Sequence, residues 1–151
     1  MLQAPGGQAV LIKILLTIAT LGYSAVPAFF DSNNTHATNP GWDRHARFHV
    51  VWQVSSYVYI AVLALYLIWT AGPETWPLWL ATWLAAFAYG GFWTAVVSRG
   101  VYDGTLVSQT NPVPAFNWNI AGKKFRTDAN VTLFTPLAAV VVICALLLLN
   151  G

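Results

Sequence analysis

Three histidines fall within fourteen residues of this chain: His36, His45 and His49. Asp31, Asn33, Asn39, Asp43, Arg44 and Arg47 share the same segment. Imidazole is the side chain best suited to moving protons near neutral pH, and it is also a common metal ligand. His45 and His49 are four residues apart, so a helix brings both rings to one side. Two chemistries suit this group. In the first, His36, His45, His49 and Asp31 hold a divalent metal such as zinc or iron. The pair lacks the intervening glutamate base of the metalloprotease signature. In the second, His45 and His49 form an acid–base pair, Asp31 orients an imidazole, and Arg47 holds an anion or a carbonyl oxygen. The bland reading is that these groups sit at headgroup level and bond loop carbonyls.

The run that carries them reads Thr35-His36-Ala37-Thr38-Asn39-Pro40-Gly41-Trp42-Asp43-Arg44-His45-Ala46-Arg47-Phe48-His49. It resembles a Thr-His…Asn-Pro…His-Ala-Arg-Phe-His stretch found after the first helix of small uncharacterised four-helix membrane proteins. That resemblance implies a shared site in this loop and a four-span layout, and it names no reaction. The many aromatics and the polar cluster near one face also give a looser likeness of layout to membrane sterol isomerases.

The elements that must position this group follow from composition. Of the 151 residues, 57% are hydrophobic and 8% are charged, against about 25% charged in an ordinary soluble domain. Four stretches approach the roughly 20 apolar residues needed to span a bilayer. A backbone in hydrocarbon must satisfy its own hydrogen bonds, so each is predicted to be α-helical. The expected fold is an all-α polytopic membrane protein, a four-transmembrane-helix bundle in a single domain of residues 1–151. Its helices should cover about residues 10–30, 43–70, 76–98 and 131–149, with long polar loops at 31–42 and 99–130. Asn39-Pro40 reads as a cap and a first-turn proline, so the second helix should begin ahead of its apolar run. Asp43 and Arg47 are spaced to pair on it. Pro27 and Pro136 are candidate kinks. Asn111-Pro112-Val113-Pro114 and Ala121-Gly122-Lys123-Lys124 are turn signals.

Residues 1–30 also carry the outline of a leader, with Lys13, an apolar run and Val26-Pro27-Ala28. The apolar run continues through Phe29 and Phe30, which favours a span. Six of the seven basic residues lie with the two long loops, which places those loops in the cytoplasm and the termini on the opposite side. Two glycosylation-type triplets, at Asn33 and Asn130, then face the cytoplasm and read as chance matches. Cys144 reads as a small packed hydrophobe.

Among weaker candidates, Arg99, Tyr102 and Asp103 either complete the site or anchor the end of the third helix. Gly90-Gly91 permits close helix contact or makes room for a ligand. Tyr57, Tyr59, Tyr89 and Trp93 could line an apolar pocket, and Trp69 and Trp76 read as interface anchors. Haem is disfavoured, because the other helices hold no histidine to oppose the cluster. A net charge of +2 without a basic run argues against nucleic acid. The expected function is a membrane-embedded enzyme acting on a small lipophilic substrate at the membrane interface. The alternative is a non-enzymatic accessory or ligand-binding subunit, with a homo-oligomer or a larger membrane complex as partner.

Overall fold

The computed structural model describes residues 6–106 and 114–151. Four long helices form an up-down-up-down bundle: α1 Gly6–Asp31, α2 Arg44–Thr70, α3 Trp76–Ser98 and α4 Ala129–Leu149. All four are long and apolar enough to cross a membrane, which marks an integral membrane protein. At 1.5 Å rise per residue even the 21-residue α4 covers a hydrocarbon layer about 30 Å thick. Both α1 and α4 continue through their internal prolines, Pro27 and Pro136.

The helix starts are set by side chains. Asp43, not Asn39, caps α2: its carboxylate accepts from the His45 N–H at 2.7 Å. That Oδ1 atom serves the helix end, where the spacing had suggested a partner for Arg47. Asp128 caps α4 by accepting from the N–H groups of Asn130 and Val131. At the other end, Lys13 Nζ donates to the carbonyl of Ala71 at 2.7 Å, closing the C-terminus of α2. Hydroxyls inside the helices bond back one turn to their own carbonyls, as Ser24 does to Thr20 and Thr82 to Leu78. This hides them from an apolar solvent.

The expectation of an all-α chain needs amending. Within the stretch read as a long loop, β1 Ala115–Ile120 and β2 Lys123–Asp128 form an antiparallel hairpin. Ala121 and Gly122 make its two-residue turn, with φ of 50° and 77°. Positive φ at both central residues matches the twist of the strands. The turn at Ala121-Gly122 was legible, but the alternation Phe116, Trp118, Ile120 against Asn117, Asn119 was the stronger signal. The turn signal over Asn111, Pro112 and Val113 lies outside the described residues.

Packing divides the bundle along its length. Near the start of α1 and the end of α4, Ile12, Leu16, Ala64, Ile68, Leu78, Ala81, Cys144 and Leu148 close into one buried cluster. Further along, Ala19, Tyr23, Ala61, Ala85, Tyr89 and Val141 form a second. Gly22 sits at a tight helix contact: a Cβ there would collide with the side chain of Leu137 and lie 2.7 Å from the Tyr89 hydroxyl. Gly90 and Gly91, the pair expected to serve this purpose, have nothing within 4 Å of a built Cβ.

Candidate functional site

Beyond the second cluster the helices enclose a cavity of about 550 Å³. Its wall on α3 carries the small residues Ala88, Gly91 and Ala95, spaced to lie on one helical face, beside Tyr89 and Phe92. The small side chains are too short to reach the opposite helices, so the space stays open. Tyr23, Tyr57, Tyr89 and Phe134 supply an aromatic floor, with Tyr23 edge-on to both Tyr57 and Tyr89 at 6.1 Å. Asp31, Thr35 and His36 border it on the side of the 32–43 connection.

That connection folds back on the end of α1 through tight turns. Ala37 N donates to the Asp31 carbonyl at 2.9 Å, and Thr38 N to the Asn33 carbonyl at 3.0 Å. Asn39, only 3% exposed, is the internal brace. Its amide donates to the Thr35 carbonyl at 3.0 Å and its oxygen accepts from Gly41 N at 2.9 Å. Trp42 packs edge-on against the His36 ring at 5.0 Å. The result places His36 Nδ1 3.4 Å from Asp31 Oδ1, with both side chains about two-thirds buried.

The proton on this imidazole can be assigned from its neighbours. The Thr35 hydroxyl lies 2.7 Å from the Phe30 carbonyl, 2.8 Å from Asn33 Oδ1 and 2.9 Å from His36 Nδ1. Carbonyl oxygens only accept, and a hydroxyl has one proton to give. The arrangement that satisfies most of these contacts has Thr35 donating to a carbonyl and His36 Nδ1–H donating to the Thr35 hydroxyl, with the Asp31 carboxylate 3.4 Å from the same nitrogen. In that tautomer Nε2 carries the lone pair. An imidazole fixed on its Nδ1 side by a hydroxyl beside a carboxylate can present Nε2 as a general base.

The other two histidines form a separate pair. His45 and His49 Nε2 atoms approach to 3.0 Å on the exposed start of α2. Their rings pack on Phe48 and Trp52. At this distance one Nε2–H can donate to the other Nε2. Among the described residues no group of three or more His, Cys, Asp or Glu side chains is placed to hold a metal. His36, His45, His49 and Asp31 therefore stand as two pairs rather than one set of four donors. Arg47 is half-buried on α2 and does not border the cavity. Gln53 and Tyr57 connect the two regions, since they border both the cavity and the shallow groove beside His49.

The third connection anchors its own helix. Arg99 donates to the Val96 carbonyl at 3.1 Å, and the Tyr102 hydroxyl to the Ala95 carbonyl at 2.7 Å. Of the four aromatics singled out from sequence, Tyr57 and Tyr89 line the cavity. Tyr59 is 74% exposed, and Trp93 packs on Phe92 at 5.4 Å.

Sequence reasoning missed Tyr23. Its side chain is 2% exposed, and its buried hydroxyl lies beside that of Thr20 one turn earlier. Ser24 and Thr82 bond back to their own helices, whereas a tyrosine hydroxyl is too far from its own backbone to do so. Tyr89 solves the same problem by donating across to the Ala19 carbonyl at 2.7 Å. Four helices apolar enough to span, with a cavity bordered by the Asp31–His36 pair, make this a four-helix membrane protein. Comparison with protein-family models, with curated proteins and with solved structures returns no match for this chain.

Proposed function

We propose that this protein is a membrane-embedded enzyme that binds a small lipophilic molecule in the inter-helical cavity, with His36 as the general base and Asp31 as the group that orients it. The observation that carries this reading is the cavity of about 550 Å³ whose aromatic and small-residue walls end at the Asp31–His36 pair. That volume lies in the range of drug-sized ligand sites, and an apolar pocket with few convergent polar groups is their usual chemistry. The apolar body of the ligand rests on Tyr23, Tyr57 and Phe134. Its polar end meets His36. His45, His49 and Arg47 lie outside the cavity and serve entry or the membrane surface in this reading. The distribution of basic residues supports an orientation with the 32–43 and 99–128 connections in the cytoplasm.

The test is the chemical identity of what the cavity holds. Wild-type protein, purified in mild detergent, is denatured and its bound small molecules are read by mass spectrometry. Gly91→Leu, which fills open space at the cavity wall, should lower occupancy roughly ten-fold or more, since displacing even part of a ligand costs above 1.4 kcal/mol. His36→Ala should retain a bound molecule of altered identity, because substrate accumulates in place of product. Retention of the wild-type molecule at wild-type occupancy in Gly91→Leu would refute the cavity. An unchanged molecule in His36→Ala would leave the alternative, a non-enzymatic ligand-binding or accessory subunit. Cysteine labelling at Ser32 and Glu74 from opposite sides of the membrane checks the orientation.

A further inference from the structure

The hairpin has two chemically distinct faces. In its register Phe116 pairs with Thr127, Trp118 with Phe125 and Ile120 with Lys123, while Asn117 pairs with Arg126 and Asn119 with Lys124. Directly opposed residues share a face, and faces alternate along each strand. One face therefore carries Phe116, Trp118, Ile120 and Phe125 with Thr127 and, at the turn, Lys123, and the other carries Asn117, Asn119, Lys124 and Arg126. All four apolar side chains are between 39% and 59% exposed, so the bundle leaves much of this face open. An isolated two-stranded hairpin is marginal in water and needs a surface for its apolar face.

The structure also fixes which way that face looks. Trp118 Nε1 donates to Thr127 Oγ1 at 2.7 Å, and Thr127 Oγ1 lies 2.6 Å from Thr132 Oγ1 in the first turn of α4. Ala129 N donates to the Pro114 carbonyl at 2.8 Å, pinning the open end of the hairpin to the same helix start. The aromatic face is thus tied to the point where α4, a helix apolar enough to span, begins. Three of the chain's seven basic residues, Lys123, Lys124 and Arg126, lie on β2.

We propose that this hairpin is an interfacial anchor that lies on the bilayer, with Phe116, Trp118, Ile120 and Phe125 at the headgroup–acyl boundary and its cationic side chains paired with the phosphates of anionic lipids. The occupant is a lipid surface because two features coincide. The apolar face is coupled to the entry point of a spanning helix, and the charge beside it is complementary to lipid phosphate. Tryptophan with flanking lysine and arginine is the composition that partitions to this layer. The backbone edges of the two strands remain satisfied there, since headgroups and water reach them. The proposal stands independently of what the cavity binds.

The full chain, carrying Cys144→Ala to remove its cysteine, is placed in nanodiscs of phosphatidylcholine with or without phosphatidylglycerol. A nitroxide is attached in turn to cysteine at positions 116 to 120. Collision with oxygen, which favours lipid, and with a water-soluble nickel chelate is then measured. The expected result is a period of two: 116, 118 and 120 favour oxygen, and 117 and 119 favour nickel. With phosphatidylglycerol present, Lys124→Gln/Arg126→Gln should shift the label at 120 toward water, and in phosphatidylcholine alone it should not. Five positions open to nickel overturn the proposal. Protection of 116 and 118 from both reagents also overturns it and marks a protein partner instead. Labels at Asn117 and Asn119, already on the polar face, serve as controls that the hairpin stays folded.

Discussion

Where α1 begins and α4 ends, Ile12, Leu16 and Ile68 are fully buried, and Ala64 and Ala81 let the helices close around them. At the opposite end the α3 stripe of Ala88, Gly91 and Ala95 is just as small, yet it faces open space. Small residues therefore do not decide packing by themselves. In the first region large aliphatic side chains on the facing helices fill the room they leave. In the second the facing positions hold Pro27, Tyr23 and Tyr57, with the two tyrosine rings edge-on to one another and the middle left unfilled. The lesson is that a membrane bundle, with no hydrophobic force drawing its helices together, closes only where volumes complement. A site can persist where they do not.

Substitutions can break or sharpen this contrast. The largest stability effect belongs to the closed end. Leu16→Ala should cost about 2–5 kcal/mol, because its neighbours are too well packed to collapse. Reversible unfolding in mixed micelles measures it. Val26→Ala, beside the cavity, should cost less than about 1.5 kcal/mol, the price of methyl groups already bordering a void. Equal losses at the two sites would mean the cavity collapses when the protein is in lipid.

Gly22→Ala probes the boundary between the regions. Its new methyl must displace Leu137 and the Tyr89 hydroxyl, so about 1–3 kcal/mol of overpacking is expected. Loss of the Tyr89–Ala19 bond should follow and is visible in the ultraviolet resonance Raman bands of tyrosine.

Tyr23→Phe should have a small effect. Its buried hydroxyl lies beside that of Thr20, so its removal should change stability by no more than about 1 kcal/mol. A larger loss would show a stronger partner than Thr20.

Smallest of all, Ala121→Asn should stabilise the hairpin by a few tenths of a kcal/mol, since asparagine tolerates positive φ better than alanine at the first turn position. Slower amide exchange across β1 and β2 would register it. Asp31→Asn belongs near the same end of the stability scale, because a partly exposed pair contributes roughly 0–1 kcal/mol. Its effect should fall on turnover instead.

The four helices were readable from the chain because the signal is local. About twenty apolar residues in a row must bond their own backbone in lipid, whatever surrounds them. The His45–His49 pair was readable for the same reason: a spacing of four brings two rings together on any helix. Asp31 and His36 were expected together, as two members of one group with His45 and His49. Their contact depends on Asn39 bracing the 32–43 connection back over α1, where the motif had suggested that Asn39 caps a helix. The hairpin was hidden behind a search for long apolar runs, although its period-two alternation lies within twelve residues of sequence. The separation of the four expected donors into two pairs, the cavity and the burial of Tyr23 were decided by tertiary structure. Each depends on the summed side-chain volumes and relative rotations of several helices meeting at one depth, a quantity that no single segment of sequence contains.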